Sequence, residues 1–132
     1  LCPLNLRHAV ISTRAYDRAL ELAKLHGAEL TVATVAPEIE RNLNIYDSRV
    51  YWGEKLKEFI GANPPGDVAV TQKVLIGATH RRIVAEARDA EADVIVMEAA
   101  NPRVQDYLLG TTASHVVTHA ECSVYVVRAP AG

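Results

Sequence analysis

Apolar and polar positions change their spacing in regular blocks along this 132-residue chain. Short runs rich in β-branched residues are typical of strands, and the segments between them repeat apolar residues every three or four positions, as helices do. The pattern predicts strands at 1–6, 28–37, 68–77, 92–99 and 122–129, and helices at 13–27, 45–62, 80–91 and 111–120. Such strict alternation predicts right-handed crossovers and a mainly parallel sheet with helices on both faces.

Local signals support these elements. Ser12 or Thr13 can cap the first helix with a side-chain oxygen, and Gly27 can end it in the left-handed conformation. The unbroken apolar run 94–97 predicts a strand covered on both faces. The helix positions expected to face the core are Ala15, Ala19, Leu22, Ala23, Trp52, Leu56, Phe59, Ile60, Ile83, Val84, Ala87, Ala113, Val116, Val117 and Ala120.

Composition narrows the class of protein. The chain is 49% hydrophobic and 23% charged with a net charge of -2, which suits one α/β domain over residues 1–132. Scattered basic residues and strand-length apolar runs argue against nucleic-acid and membrane partners. Cys2 and Cys122 show no disulfide pattern, so reduced thiols and a cytoplasmic location are expected. The chain starts at Leu1, inside the first strand, which suggests a sequence trimmed from a longer one.

Residues 93–112 contain the parts of an anion-binding site. The apolar run stops at Glu98, a polar loop follows, and Gly110-Thr111-Thr112 begins a helix whose first N–H groups are free. Ligands of parallel sheets bind where strand order reverses, at the carboxyl ends of the strands, so the loops after strands one and four are the candidates. However, the loop has no glycine before Gly110 and begins with a carboxylate.

Four segments together resemble the universal stress protein family. They are CPLN (2–5), RALELAKLHGAELTVATVAP (18–37), VLIGATHRRIVAEARDAEADVIVM (74–97) and LLGTTASHVVTHAECSVYVVR (108–128). The resemblance implies an open, Rossmann-like five-stranded parallel sheet in the order 3-2-1-4-5. It also implies a homodimer paired through the last strand, from Cys122 to Arg128.

The resemblance further implies an adenine-nucleotide site, because many family members bind ATP. Their aspartate after strand one is Asn5 here, whereas Val35 and Met97 are retained. Two loop glycines of the family's Gly-x-x-Gly-x(9)-Gly-Ser/Thr spacing fall on Glu98 and Asn101, and only eight residues, 102–109, then precede Gly110. The candidate cofactor-binding residues are Pro3, Leu4, Asn5, Val35, Met97, Glu98, Asn101, Gly110, Thr111 and Thr112.

Glu98 is the most informative departure from that pattern. Glycine lets backbone N–H groups approach a phosphate, whereas glutamate adds bulk and negative charge. One such like-charge pair at ~4 Å costs roughly 4 kcal/mol at an effective dielectric constant near 20. A metal ion bound to Glu98 could offset this cost, although a solvated carboxylate ending a strand is the more ordinary interpretation. Asn101 tolerates left-handed backbone, so the loop path could survive without phosphate affinity.

Other chemical groups carry weaker signals. His115 and His119 have a metal-chelating spacing but no evident third ligand, so no metal site is expected. His80, Arg81 and Arg82 are expected to form a solvated basic face. Neither cysteine has a neighbouring base in sequence, and we expect no enzymatic activity.

Two functional hypotheses follow. The first is a dimeric stress-response regulatory module whose ATP loop is degenerate. The second is a stress sensor that binds ATP or AMP through the retained strand-one, strand-two and Gly110-Thr111 positions. A domain excised from a transporter or a kinase regulator is a third possibility.

Overall fold

The computed structural model describes residues 1–6, 11–36, 45–99 and 111–128, with the backbone alone at 45–47. Within these residues five parallel strands alternate with four helices, as the sequence pattern predicts. The elements are β1 (Cys2–Leu4), α1 (Arg14–His26), β2 (Leu30–Ala36), α2 (Ile45–Ala62), β3 (Val70–Ile76), α3 (Thr79–Asp89), β4 (Val94–Glu98), α4 (Thr111–His119) and β5 (Ser123–Val127).

The strands form a sheet of three and a sheet of two. β2 pairs with β1 and β3 in the order β1-β2-β3, with Leu4 opposite Thr34 and Leu30 opposite Val70. β4 pairs with β5, with Glu98 opposite Val127. The α/β class and the parallel pairing are therefore confirmed.

Two backbone hydrogen bonds join β1 to β4. The Leu1 nitrogen donates to the Val94 carbonyl at 3.0 Å, and the Val96 N–H donates to the Leu1 carbonyl at 2.9 Å. Bonds that flank one residue of the neighbouring strand are the pattern of a parallel ladder. In a strand, the backbone groups of every second residue face the same neighbouring strand. Pro3 is two residues after Leu1, so its backbone nitrogen is at the position of the next donor toward β4. Proline has no N–H, and the contact therefore lacks a bond that a regular ladder would have.

Buried side chains form two clusters, one on each side of β4. Val96 joins the cluster beneath α1 and α2, whose largest fully buried members include Tyr16 and Leu56. Ile95 and Met97 join the cluster beneath α3 and α4. β4 is therefore covered on both faces, as predicted, and helices pack on both sides of the strands. None of the helices in the described part of the chain is long and apolar enough to cross a membrane.

Some sequence expectations need correction. Val117 of α4 is 45% exposed rather than buried, because only Ala113 and Val116 of this helix turn fully inward. Thr13 precedes α1 but makes no side-chain capping bond, and its hydroxyl donates to Asp17 at 3.0 Å. Gly27 ends α1 in the left-handed conformation, with φ of 63°, as expected.

Candidate functional site

The carboxyl ends of β1, β2 and β4 lie at one edge. The bonds of Leu1 flank Ile95, so the same register places Leu4 level with Glu98. Leu4 is opposite Thr34, so Asn5 follows β1 at the level of Val35. We call the region of Asn5, Val35 and Glu98 the carboxyl edge. Parallel sheets commonly bind ligands at the carboxyl ends of their strands.

The candidate residues are distributed around this edge. Pro3 and Leu4 end β1, and Asn5 is exposed just after it. Met97 is buried, at 4% exposure, and therefore belongs to the core. Thr111 is exposed as the first residue of α4, and Thr112 is half-buried. Asn101, Arg103 and Gly110 lie outside the described residues, so the loop path predicted for them stays a prediction.

A hydrogen bond ties Glu98 to the segment that leads into α1. The Ser12 hydroxyl donates to Oε1 of Glu98, and the Arg14 N–H donates to the Ser12 oxygen at 3.3 Å. Ser12 thereby accepts from the start of α1 and donates to the end of β4. The Glu98 carboxylate is therefore anchored, rather than a freely solvated group at a strand end.

The side on which Glu98 lies follows from strand alternation. Residues two apart share a face, so Glu98 points to the side of Val96, which packs beneath α1. Thr111 begins α4, which packs on the side of Met97. Glu98 therefore lies on the α1 side of β4, whereas Thr111 begins a helix on the opposite side.

The described residues offer little for nucleophilic or metal chemistry. Burial raises the pKa of the Cys2 thiol to about 12, so almost no thiolate forms at neutral pH. Both cysteines are free thiols, as the sequence predicts, and Cys122 is half-buried. Over the described ranges, no group of three or more His, Cys, Asp or Glu side chains is arranged to hold a metal ion.

The sequence was compared with models of known protein families. Residues 9–128 match the model of the universal stress protein family. The chain belongs to the universal stress protein family. The resemblance carried by the four sequence segments is thus confirmed.

This universal stress protein domain is similar to individual proteins of known sequence and structure. Universal stress protein G of Shigella flexneri is 37% identical over 59 residues, which cover 45% of this chain and 42% of that protein. The match spans less than half of that curated relative. A universal stress protein from Archaeoglobus fulgidus in complex with dAMP superposes with a TM-score of 0.69 and 19% identity, over 95% of this chain and 93% of that one.

A universal stress protein in complex with cAMP superposes with a TM-score of 0.66 and 21% identity, over 86% of each chain. At these identities the two solved structures establish the likeness of fold alone. They agree with the alternating strands and helices described above.

A double-mutant cycle on Ser12→Ala and Glu98→Ala measures the bond between them. We expect a coupling free energy of about 1 kcal/mol in urea unfolding, because a hydrogen bond to a charged acceptor is among the stronger ones.

Thr13→Ala combined with Glu98→Ala is the matched control, since the Thr13 hydroxyl bonds to Asp17. Its coupling should be near zero. Equal coupling in the two cycles would contradict an anchored Glu98.

Proposed function

We propose that this chain is a dimeric, non-enzymatic regulatory module of the cytoplasm whose ATP-binding loop no longer holds a triphosphate. The observation that carries the proposal is the Ser12–Glu98 hydrogen bond at the carboxyl edge. The family resemblance implies a loop glycine at position 98, where this chain has the carboxylate side chain of Glu98 instead.

The energetic reason is electrostatic. Each phosphate held at ~4 Å from the carboxylate would cost roughly 4 kcal/mol at an effective dielectric constant near 20, before screening by salt. Turning Glu98 away would lower that cost but would break its bond to Ser12. ATP binding therefore either brings like charges together or gives up an existing hydrogen bond.

A second candidate function is binding of an adenine nucleotide with one phosphate or none. The similar structures named above hold dAMP and cAMP, which each carry a single phosphate. Asn5 and Val35, at the positions of the family's nucleotide contacts, lie level with each other at the carboxyl edge. An amide can both donate to and accept from a nucleoside, so a ligand with less charge would suffer less from Glu98.

We also propose that the two sheets act as one open, Rossmann-like sheet in the order 3-2-1-4-5. The hydrogen bonds of Leu1 to β4 support this order. The missing N–H of Pro3 accounts for the division into three and two strands.

The dimer is proposed to form through β5. The Ala99 N–H donates to the Val127 carbonyl at 2.9 Å, so the Val127 peptide faces β4. By alternation, the peptides of Val124 and Val126 face away from β4. Tyr125 is also 41% exposed. A regular strand edge of this kind favours pairing with a second copy.

Titration with a fluorescent ATP analogue, with and without Mg²⁺, tests the nucleotide proposals. We expect no micromolar binding by the unaltered protein. Glu98→Gly should raise ATP affinity by roughly tenfold or more, which corresponds to about 1.4 kcal/mol, and should change adenosine affinity far less.

Glu121→Gly is the matched control, because it removes an exposed carboxylate away from the carboxyl edge. Micromolar ATP binding by the unaltered protein would reject the first proposal. Equal gains for ATP and adenosine in Glu98→Gly would reject a charge effect on phosphate.

Light scattering tests the dimer. We expect the unaltered protein to have the mass of two chains, and Val126→Pro to shift it to one, because proline removes an outward N–H without removing a bond to β4. Tyr125→Phe keeps the edge and should stay dimeric. Monomeric unaltered protein at high concentration would refute pairing through β5.

A further inference from the structure

Three histidine rings form a row between α3 and α4. His80 is the second residue of α3, and its ring lies 4.1 Å from that of His115 in α4, with 17° between the planes. The His115 ring lies 5.9 Å from that of His119, with 18° between the planes. We call these three residues the histidine row. Its His80–His115 stack joins α3 to α4 through two residues that are 35 positions apart along the chain.

The row is not arranged as a metal site. A ring nitrogen binds a metal through a lone pair in the plane of the ring. Nearly parallel, stacked rings direct these lone pairs side by side rather than toward one point. This geometry agrees with the lack of a metal-holding group among the residues described.

The charges acting on His80 all oppose its protonation. Partial burial lowers the pKa of His80 below its ordinary value, and His115, Arg81 and His119 lower it further. His80 also lies in the first turn of α3, where the positive end of the helix dipole disfavours a cation. Neutral rings can stack here, whereas two protonated rings at this distance would repel each other.

The carboxylates of α3 are engaged elsewhere. Glu86 pairs with Lys73 of β3, and Asp89 lies 3.9 Å from Arg88. α4 has no acidic residue, and neither have β2 and β5. β4, whose Ile95 and Met97 pack beneath α3 and α4, ends at Glu98, but this carboxylate lies on the α1 side of the strand and accepts from Ser12. Among the described groups that act on His80, none is a carboxylate that could neutralise an added proton.

We propose that the histidine row is a proton-sensitive clasp that holds α4 against α3 at neutral pH and releases it in acid. α4 begins at Thr111, one of the candidate site residues. Acid would therefore loosen the helix whose first turn belongs to the candidate site. This response requires no nucleotide and stands whether or not one binds.

The direction of the pH effect follows from proton linkage. An unfolded histidine titrates near pH 6.5, and the folded protein holds the pKa of His80 below that value. Between the two values the unfolded chain binds more protons than the folded one, so the free energy of unfolding falls as pH drops through this window. Above this pH window, the clasp makes its full contribution to the free energy of unfolding.

Amide hydrogen exchange of α4, Thr111–His119, tests the clasp at pH 7.5 and pH 5.5, with rates corrected for intrinsic exchange. We expect protection of α4 to fall several-fold in acid in the unaltered protein. His115→Gln and His80→Gln should each abolish most of this fall, because glutamine keeps a polar side chain but does not titrate.

His26→Gln is the matched control, since His26 is an exposed histidine at the end of α1. It should leave the pH response of α4 unchanged. Both His80→Gln and His115→Gln are measured, so that the test still stands if one of them misfolds. The proposal is overturned if α4 loses the same protection in acid in both row variants as in the unaltered protein, or if acid leaves α4 fully protected in the unaltered protein.

Discussion

The hydrogen bonds between Leu1 and β4 are the contact on which the site depends. They bring the first and fourth strands side by side, so the connection after β1 begins next to the end of β4. Ser12 can then reach Glu98 across 86 residues of sequence. Pro3 has no backbone N–H, so this contact lacks one hydrogen-bond donor. The contact between β1 and β4 therefore has one backbone bond fewer than a regular ladder, and the Ser12–Glu98 side-chain bond adds to it.

A nucleotide site normally contacts both the nucleoside and its phosphates, and Glu98 affects only the phosphate contacts in our proposal. In the proposed function, Asn5 and Val35 would still contact a nucleoside at the carboxyl edge, whereas a triphosphate would meet the anchored carboxylate of Glu98. This separation is the basis for proposing a module without ATP affinity, and for keeping uncharged or singly phosphorylated adenine ligands as the second candidate. The proposed clasp adds a proton-dependent input to the same region, because it acts on α4.

The elements were predictable because they depend on local periodicity. The strand and helix positions followed from apolar spacing, and the end of α1 from Gly27. Contacts between distant residues were not predictable in the same way. Ser12 reads as a cap, and nothing near it indicates a bond to Glu98. His80 and His115 lie on separate helices, so only the fold shows that they stack. Val117 fits the apolar spacing of α4, but this helix turns a narrower face inward than the spacing suggests.

A crystal of the protein soaked with ATP and Mg²⁺ tests the central claim most directly. We expect the Ser12–Glu98 hydrogen bond to remain and no triphosphate density to lie along residues 98–112. A triphosphate seated there, with Glu98 turned away from Ser12, would contradict the claim that this carboxylate excludes it.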